Sequence, residues 1–551
     1  MTPDQIHSLL SKAYSGKNAK TITGSIASFS RHITHPWYEK SVRWCAQIMK
    51  RYGFDSVRVL SFPIDGKKLY GNWKSPRYWA VSRAYLKVYI DGQWRTMADY
   101  SKIATSLFVY AAPTNGEITG ELALPDAPDL KGKLVFADPT SATYNAIAEG
   151  KALGIATDFA PNWPGVRSDQ DFRNGRRWDN GFLFEDRKGL VGFSLSRNQG
   201  DLIRERLRQR GSLPCKFRVD GYLGKGRMYC ATGCIKGSEK TGEEVVSVAH
   251  LYEVGANDNG SGVAASIECL RAIQQLIREK KLLQPKRTIR VVFAFEIIGM
   301  LAYFFGPGKK TRYVAGINPD MVGEDQKKCR SVLNIYQAPA SNPEFANKLI
   351  IRLLSNSAGK KFRLGIHPFM VNDNVVTDPL IGATCPALIH IRDQFYHSNE
   401  DTIDKVSEKT LHWVGSAMAA YLYATASLEQ DDLDRFLGIV LPVAEKPIKP
   451  ENALEKKAGQ LVPRRTHVGG TFTFEHIAPE KRTSLKFHAS WSPKWNLPVF
   501  WVNGKRSLLD IFRKASHESG PYKLEEFIEY FTFLAREKLI QLKIRQHTAK
   551  R

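Results

Sequence analysis

Apolar residues follow two rhythms along this chain, and each change of rhythm marks a new part. Between residues 35 and 53 they recur at helical spacing, with Trp37, Val42, Cys45, Ile48 and Met49 on one face and Gly53 placed to stop the helix. The next segment, VRVLSFPIDGKKLYG, reads as a strand with a turn at Asp65-Gly66. From Leu107 to Ile235 short apolar runs alternate with Gly and Pro, as in GEITGELALP, GKLVFAD, GLVGFSLSR and CKFRVDGYLG. That pattern predicts a β-rich unit, which also holds an amphipathic helix with Leu202, Ile203 and Leu207 turned inward.

From about Glu243 the pattern becomes strand then helix, repeated. Val245 to Val248 and TIRVVFAF are short continuous apolar runs, the mark of strands buried on both faces. Val263, Ile267, Leu270, Ile273 and Ile277 repeat at helical spacing, ATCPALIHIRD reads as a last strand, and KTLHWVGSAMAAYLYATA as a closing helix. The expected fold is α/β, with a mostly parallel central sheet covered by helices on both faces. Beyond a Lys/Pro-rich link, AEKPIKPENALEKKAGQ, two more helical patterns flank Gly520-Pro521. Trp73, Trp79 and Trp94 are expected in the core or between domains.

The polar residues that interrupt these patterns sit where strands end. His250 closes one apolar run and the loop GANDNGSG brings Asp258; Glu296 follows FAF; Asp320 stands in INPDMVGED; His397 stands in FYHSNEDT. Alone, ANDNGSG equally suits an ordinary Asx-rich turn capping a helix. Four strand ends that each offer a zinc-type ligand or a carboxylate base favour a metal site instead, because ligands collect at the carboxyl ends of strands in open α/β sheets.

ANDNGSGVA, DMVGEDQ and YHSNEDT together resemble the clan of cocatalytic zinc aminopeptidases, the aminopeptidase Y/S-like exopeptidases. Within it the chain is similar to proteins with a protease-associated-type insert and a C-terminal winged helix, over roughly residues 25–545. The resemblance implies an N-terminal part of the peptidase domain at 1–106, the insert at 107–235, the catalytic domain at 236–430 and a winged-helix-like domain at 431–551. It assigns His250 and Asp320 to one metal, Asp258 as a bridge, His397 to the second, and Glu296 as general base. The insert is expected to roof the site without supplying catalytic groups.

Two departures from that family follow from the residues themselves. Where it carries two adjacent carboxylates this chain has Glu296-Ile297, and isoleucine cannot bind a metal. Three readings stay open: a single firmly held zinc, Glu296 acting as a ligand, or Glu324 or Glu253 filling the gap. The expectation is one tightly bound zinc and a second held weakly. At VNDNVVTDP the family's Ser-Asp-His is also missing, so Asp373 is expected behind the ligands, alongside Glu324 and Tyr396 as further supporting candidates, while Asn374 cannot replace an imidazole. His367 and His390 are read as structural.

Charge and composition narrow the functional classes. A net charge of +25 invites a nucleic-acid reading, yet from Asp431 onward there are 22 basic against 14 acidic residues, so most of the excess lies outside the C-terminal module. Its second helix carries Glu525, Glu526 and Glu529, which repel phosphates, so packing or homo-oligomerisation is expected there rather than nucleic-acid binding. No apolar run is long enough to span a membrane and the first residues lack a signal-peptide core, which points to a cytoplasmic protein. Seven scattered cysteines, with Cys230 and Cys234 the only close pair, read as free thiols. The sequence thus predicts a metal-dependent hydrolase of peptide or small amide substrates, with Glu296 as base. The alternatives are a catalytically weakened peptidase fold acting as a scaffold, and a DNA-associated protein using the winged helix.

Overall fold

The short apolar runs at 245–248 and 291–295 are fully buried, and as strands Glu243–Leu251 and Thr288–Phe295 they pair in parallel at the centre of an eight-stranded sheet. The structure, a computed structural model, describes residues 1–30, 34–179, 190–239, 242–306, 311–439, 449–466, 474, 477, 487 and 494–545. Across the central sheet the strands run 55–64, 226–235, 288–295, 243–251, 312–320, 387–390, 333–336 and 364–367. Four of the seven pairings are parallel, including every one that joins 288–295, 243–251, 312–320 and 387–390. The strands on one flank, 55–64 and 226–235, and the contact of 387–390 with 333–336, are antiparallel.

That parallel block places the chemistry. Leu251 pairs with Phe295, Ser247 with Ile317, and Asp320 with Ile389, so the carboxyl ends of all four strands open in one direction. Helices Gly262–Arg278 and Glu408–Ser427 pack together on strands 243–251 and 312–320, while His35–Arg51 lies on 55–64 and 226–235. Val42, Cys45, Ile48 and Met49 are buried as their spacing predicts; Trp37, at the helix entrance, is only partly covered.

A second, seven-stranded sheet is ordered 93–99, 78–90, 212–224, 118–123, 134–136, 154–157 and 191–194. Sheet membership therefore runs across the expected boundaries at 106/107 and 235/236. Strands 78–90 and 93–99 join the insert's sheet, and strand 226–235 belongs to the central one. Only Lys225 separates 212–224 from 226–235, so one continuous extended stretch passes from sheet to sheet. Trp73 and Trp79 are buried as expected, but Trp94 is 40% exposed: it lies on the edge strand 93–99, where Lys216 covers its ring in place of a core.

Near the C-terminus, helices Leu508–Ser519 and Leu524–Arg536 and the antiparallel pair 461–465/540–544 close a separate small core around Ile511, Phe527, Phe531 and Leu534. The first part of the connector, 444–448, lies with 440–443 outside the described residues. The unit docks on the main body through Phe500 against Phe369 and through the buried pair of Arg465 with Asp378. All seven cysteines are buried and none is in a disulfide, and among the described residues no helix is long and apolar enough to cross a membrane.

Candidate metal centre

His250, Asp258, Glu296, Asp320 and His397 line one cavity of about 270 Å³, together with Glu253, Tyr396 and the apolar side chains of Met321, Met370, Val371, Ile389 and Ile391. Strand register accounts for three of them: His250 is the penultimate residue of 243–251, Glu296 follows 288–295, and Asp320 ends 312–320. Immediately beyond, the backbone turns sharply. Tyr252, Ile297 and Met321 all have positive φ, at 99°, 52° and 52°, and His397 itself has φ 56°. None of these side chains favours that region, and strain of this kind persists only where surrounding contacts impose it.

Each imidazole is held from behind and presents one nitrogen to the cavity. His250 Nδ1 lies 3.0 Å from Asp373 Oδ2, leaving Nε2 3.2 Å from Asp258 Oδ1 and 3.5 Å from Glu253 Oε2. Asp373 also accepts the Ile297 N–H at 2.8 Å, so it secures both the His250 ring and the turn after Glu296. His397 Nδ1 lies 2.7 Å from Asp179, leaving Nε2 3.2 Å from Asp258 Oδ2 and 3.7 Å from Glu253 Oε2. Asp258 thus turns one oxygen to each histidine, and Asp401 accepts the Asn257 and Asp258 N–H groups that set its loop.

Ligand atoms form two groups that share Asp258: His250, Asp258 and Asp320, and Glu253, Asp258 and His397, each within 4.8 Å of one another. Their electrostatics suit cations. Five carboxylates, Glu253, Asp258, Glu296, Asp320 and Asp373, crowd two imidazoles. Burial pushes the Asp320 carboxyl up to about 7, with Asp258 and Glu296 adding to the rise against His250 and Asn372. Glu253 and Glu296 are raised by burial and by neighbouring carboxylates. Burial alone would lower both imidazoles, yet Glu253, Asp320 and Asp373 carry His250 well above its usual value, as Asp179 and Asp258 do for His397. Asp258 is held low against its own burial by the two histidines. Asp320 Oδ2 accepts from Asn372 Nδ2 at 2.6 Å, whereas its buried Oδ1 has no partner. An excess of buried carboxylates with an unpartnered oxygen at its centre is the donor set that hard or borderline divalent ions require.

The two candidate substitutes for the missing carboxylate lie in different surroundings. Glu253, named from the sequence only as one of the two, is the one facing both histidines. Glu324, the other, is fully buried beside Asp393, bridges to Val406 and is not among the residues lining the cavity. Ile297 is 1% exposed and packs in the core. Tyr396 lies against the His397 ring, with centroids 3.6 Å apart. Asn374 ties its own loop, accepting from Asn372 N and donating to Met370 O. His390 is buried in strand 387–390, as expected of a structural residue, whereas His367 lies on the exposed edge strand. Sequence reading missed Asp179 and Asp401; both stand in polar loops, RRWDNG and SNEDT, with no spacing that ties them to a ligand.

Residues 232–422 match the model of Peptidase family M28. Among solved structures, the zinc aminopeptidase BSAP from Bacillus subtilis is similar at 19% identity and a TM-score of 0.53, over 76% of this chain and 96% of its own. A peptidase M28 precursor from Shewanella amazonensis is similar at 17% identity and a TM-score of 0.54, over 78% and 98%. A Clostridium acetobutylicum structure matches over 98% of this chain and 99% of its own, at 15% identity and a TM-score of 0.53. At these identities the likeness is one of fold. No curated protein matches the chain.

Proposed function

We propose, from the peptidase family M28 domain that residues 232–422 form, that this protein is a zinc-dependent aminopeptidase holding two ions in adjoining half-sites. The observation that carries the reading is the pair of ligand groups sharing Asp258, with Glu296 beside them in one cavity. His250 and Asp320 would hold one ion, Glu253 and His397 the other. Because Glu253 offers the carboxylate that Ile297 cannot, one of the two reasons for regarding the chain as a weakened scaffold is answered; the other, Asn374 in place of an imidazole, stands.

Zinc in such a setting polarises a carbonyl and brings the pKa of water down to about 7. This chain's residues do the rest. Asp373 and Asp179 accept the Nδ1 protons of His250 and His397, fixing the tautomer in which Nε2 carries a lone pair. Glu296, partly open to the cavity, takes the proton from the attacking water and passes it to the leaving amine. Its pKa is raised, first by burial and then by Asp373 and Asp258, against His250 and His397.

The cavity favours a chain terminus. At about 270 Å³ it lies near the lower end of ordinary ligand pockets, roughly 300–1,000 Å³, a size that suits one terminal residue. Met321, Met370, Val371, Ile389 and Ile391 suit an apolar side chain. The insert, 107–235, reaches the edge of this cavity through Trp178 and Asp179 against His397, and the C-terminal module, 431–551, serves packing rather than nucleic acid; Glu525 and Glu529 are exposed on its last helix. A panel of aminoacyl amides tests the reading. Free-amine substrates should be cleaved, chelation should abolish cleavage and zinc restore it. Cleavage of N-acylated substrates alone would replace the aminopeptidase by an amidohydrolase.

A further inference from the structure

His397 differs from the other ligands in what holds it. It lies on a loop, with φ 56°, outside the central sheet, and its backbone is paired by an isolated antiparallel bridge between Arg177 and Ser398. Its support comes from the segment 163–179, more than 200 residues earlier in the chain. Arg176 N donates to Asn399 Oδ1 at 2.6 Å and Asn399 N donates back to Arg176 O at 3.2 Å. Trp178 N donates to His397 O at 3.2 Å, and the Trp178 ring packs 4.5 Å from the imidazole. Arg167 Nη1 reaches Gln394 O, while its guanidinium lies 4.1 Å from the Trp163 ring and 4.7 Å from Phe172, which stiffens the segment itself.

At the end of this segment stands Asp179. Its Oδ2 is 2.7 Å from His397 Nδ1, and Arg177 clamps the same carboxylate with Nε to Oδ1 at 2.8 Å and Nη2 to Oδ2. The three side chains are only 9–14% exposed. A carboxylate behind the distal nitrogen of a ligating imidazole fixes its tautomer and its orientation, and the partner guanidinium keeps that carboxylate ionised and aimed.

We propose that Asp179 is the positioning residue of the His397 half-site, so that the insert, through the segment 163–179, completes a metal site whose ligands all lie in the catalytic domain. This inference rests on the zinc reading above. Asp179 touches neither substrate nor ion; it acts through His397 alone.

Zinc titration of the full-length protein against a competing chelator tests it. Wild type should show two ions of unequal affinity. Asp179→Asn should weaken one ion about ten- to a hundred-fold and leave the other unchanged. Asp179→Glu should recover part of that loss, and in a His397→Ala background Asp179→Asn should add nothing further. Asp171→Asn, which alters the same segment at its Arg330 ion pair, should leave both affinities intact and controls for packing. Should Asp179→Asn fail to fold, Arg177→Met serves in its place and should weaken the same ion. Equal affinities in wild type and Asp179→Asn would overturn the inference while leaving the peptidase reading in place, as would a loss shared by both ions or reproduced by Asp171→Asn. A wild type that binds no zinc would overturn both.

Discussion

The two halves of the cavity present the same chemistry on different foundations. Around His250 the candidate ligands come from strand ends in register: His250 and Asp320 lie on neighbouring parallel strands, and Asp258 follows in the loop that opens helix 262–278. Behind them stand Asp373, Asn372 and His390, the last with Nδ1 2.6 Å from the Met321 carbonyl. Around His397 the candidate ligands are loop residues, and their support arrives from another part of the chain. A hydrogen-bonded ladder positions the first half, and contacts between loops position the second. Loop contacts open more readily than ladders, so the same ligand set should yield one tight and one labile site.

The largest expected effect belongs to neither half. Glu296→Gln should cut activity about 100-fold to 10,000-fold while both ions remain, because it removes proton transfer and no ligand. Loss of metal together with activity would make Glu296 a ligand and break the two-half description. Next, Asp320→Asn and Glu253→Gln should each cost one ion, and not the same one; metal analysis after dialysis distinguishes them. Identical losses would mean that Glu253 does not belong to the second half.

A third test reads the frame beneath the first half. Burial holds His390 down to about 4, with Arg363 adding to the fall against the Met321 hydrogen bond. Its unfolded pKa is about 6.5, so the unfolded chain binds the extra proton. The stability that neutral His390 contributes is therefore complete above pH 6.5 and is lost as pH falls towards 4, by up to about 3 kcal/mol. His390→Gln should flatten the dependence of denaturation midpoint on pH in that window. His35, lowered by burial to about 3 beside the Trp79 backbone, should keep a residual slope in the variant. An unchanged slope would place the acid sensitivity elsewhere. The smallest effect is that of Asp373→Asn, which should weaken the His250 ion about ten- to a hundred-fold without touching the His397 ion.

The first half was largely legible in the chain, because apolar runs announce buried strands and the polar residue closing each run is visible to anyone who counts. The second was legible only as far as His397. Glu253 lies three residues beyond His250 and gave a hint. Asp179 gave none: a carboxylate in RRWDNG looks like any solvated loop residue until the fold lays that loop against residues 394–399.

By itself the sequence determined the α/β class, the parallel block, and the direction in which His250, Glu296 and Asp320 emerge. Those follow from local hydrophobic patterning, which acts over a few residues and fixes strand, helix and register. Three matters only the tertiary structure decided: which sheet strands 78–90 and 226–235 join, which of Glu253 and Glu324 faces the histidines, and what steadies His397. Each depends on contacts between segments far apart in the chain, where side-chain identity alone does not say which loop will meet which.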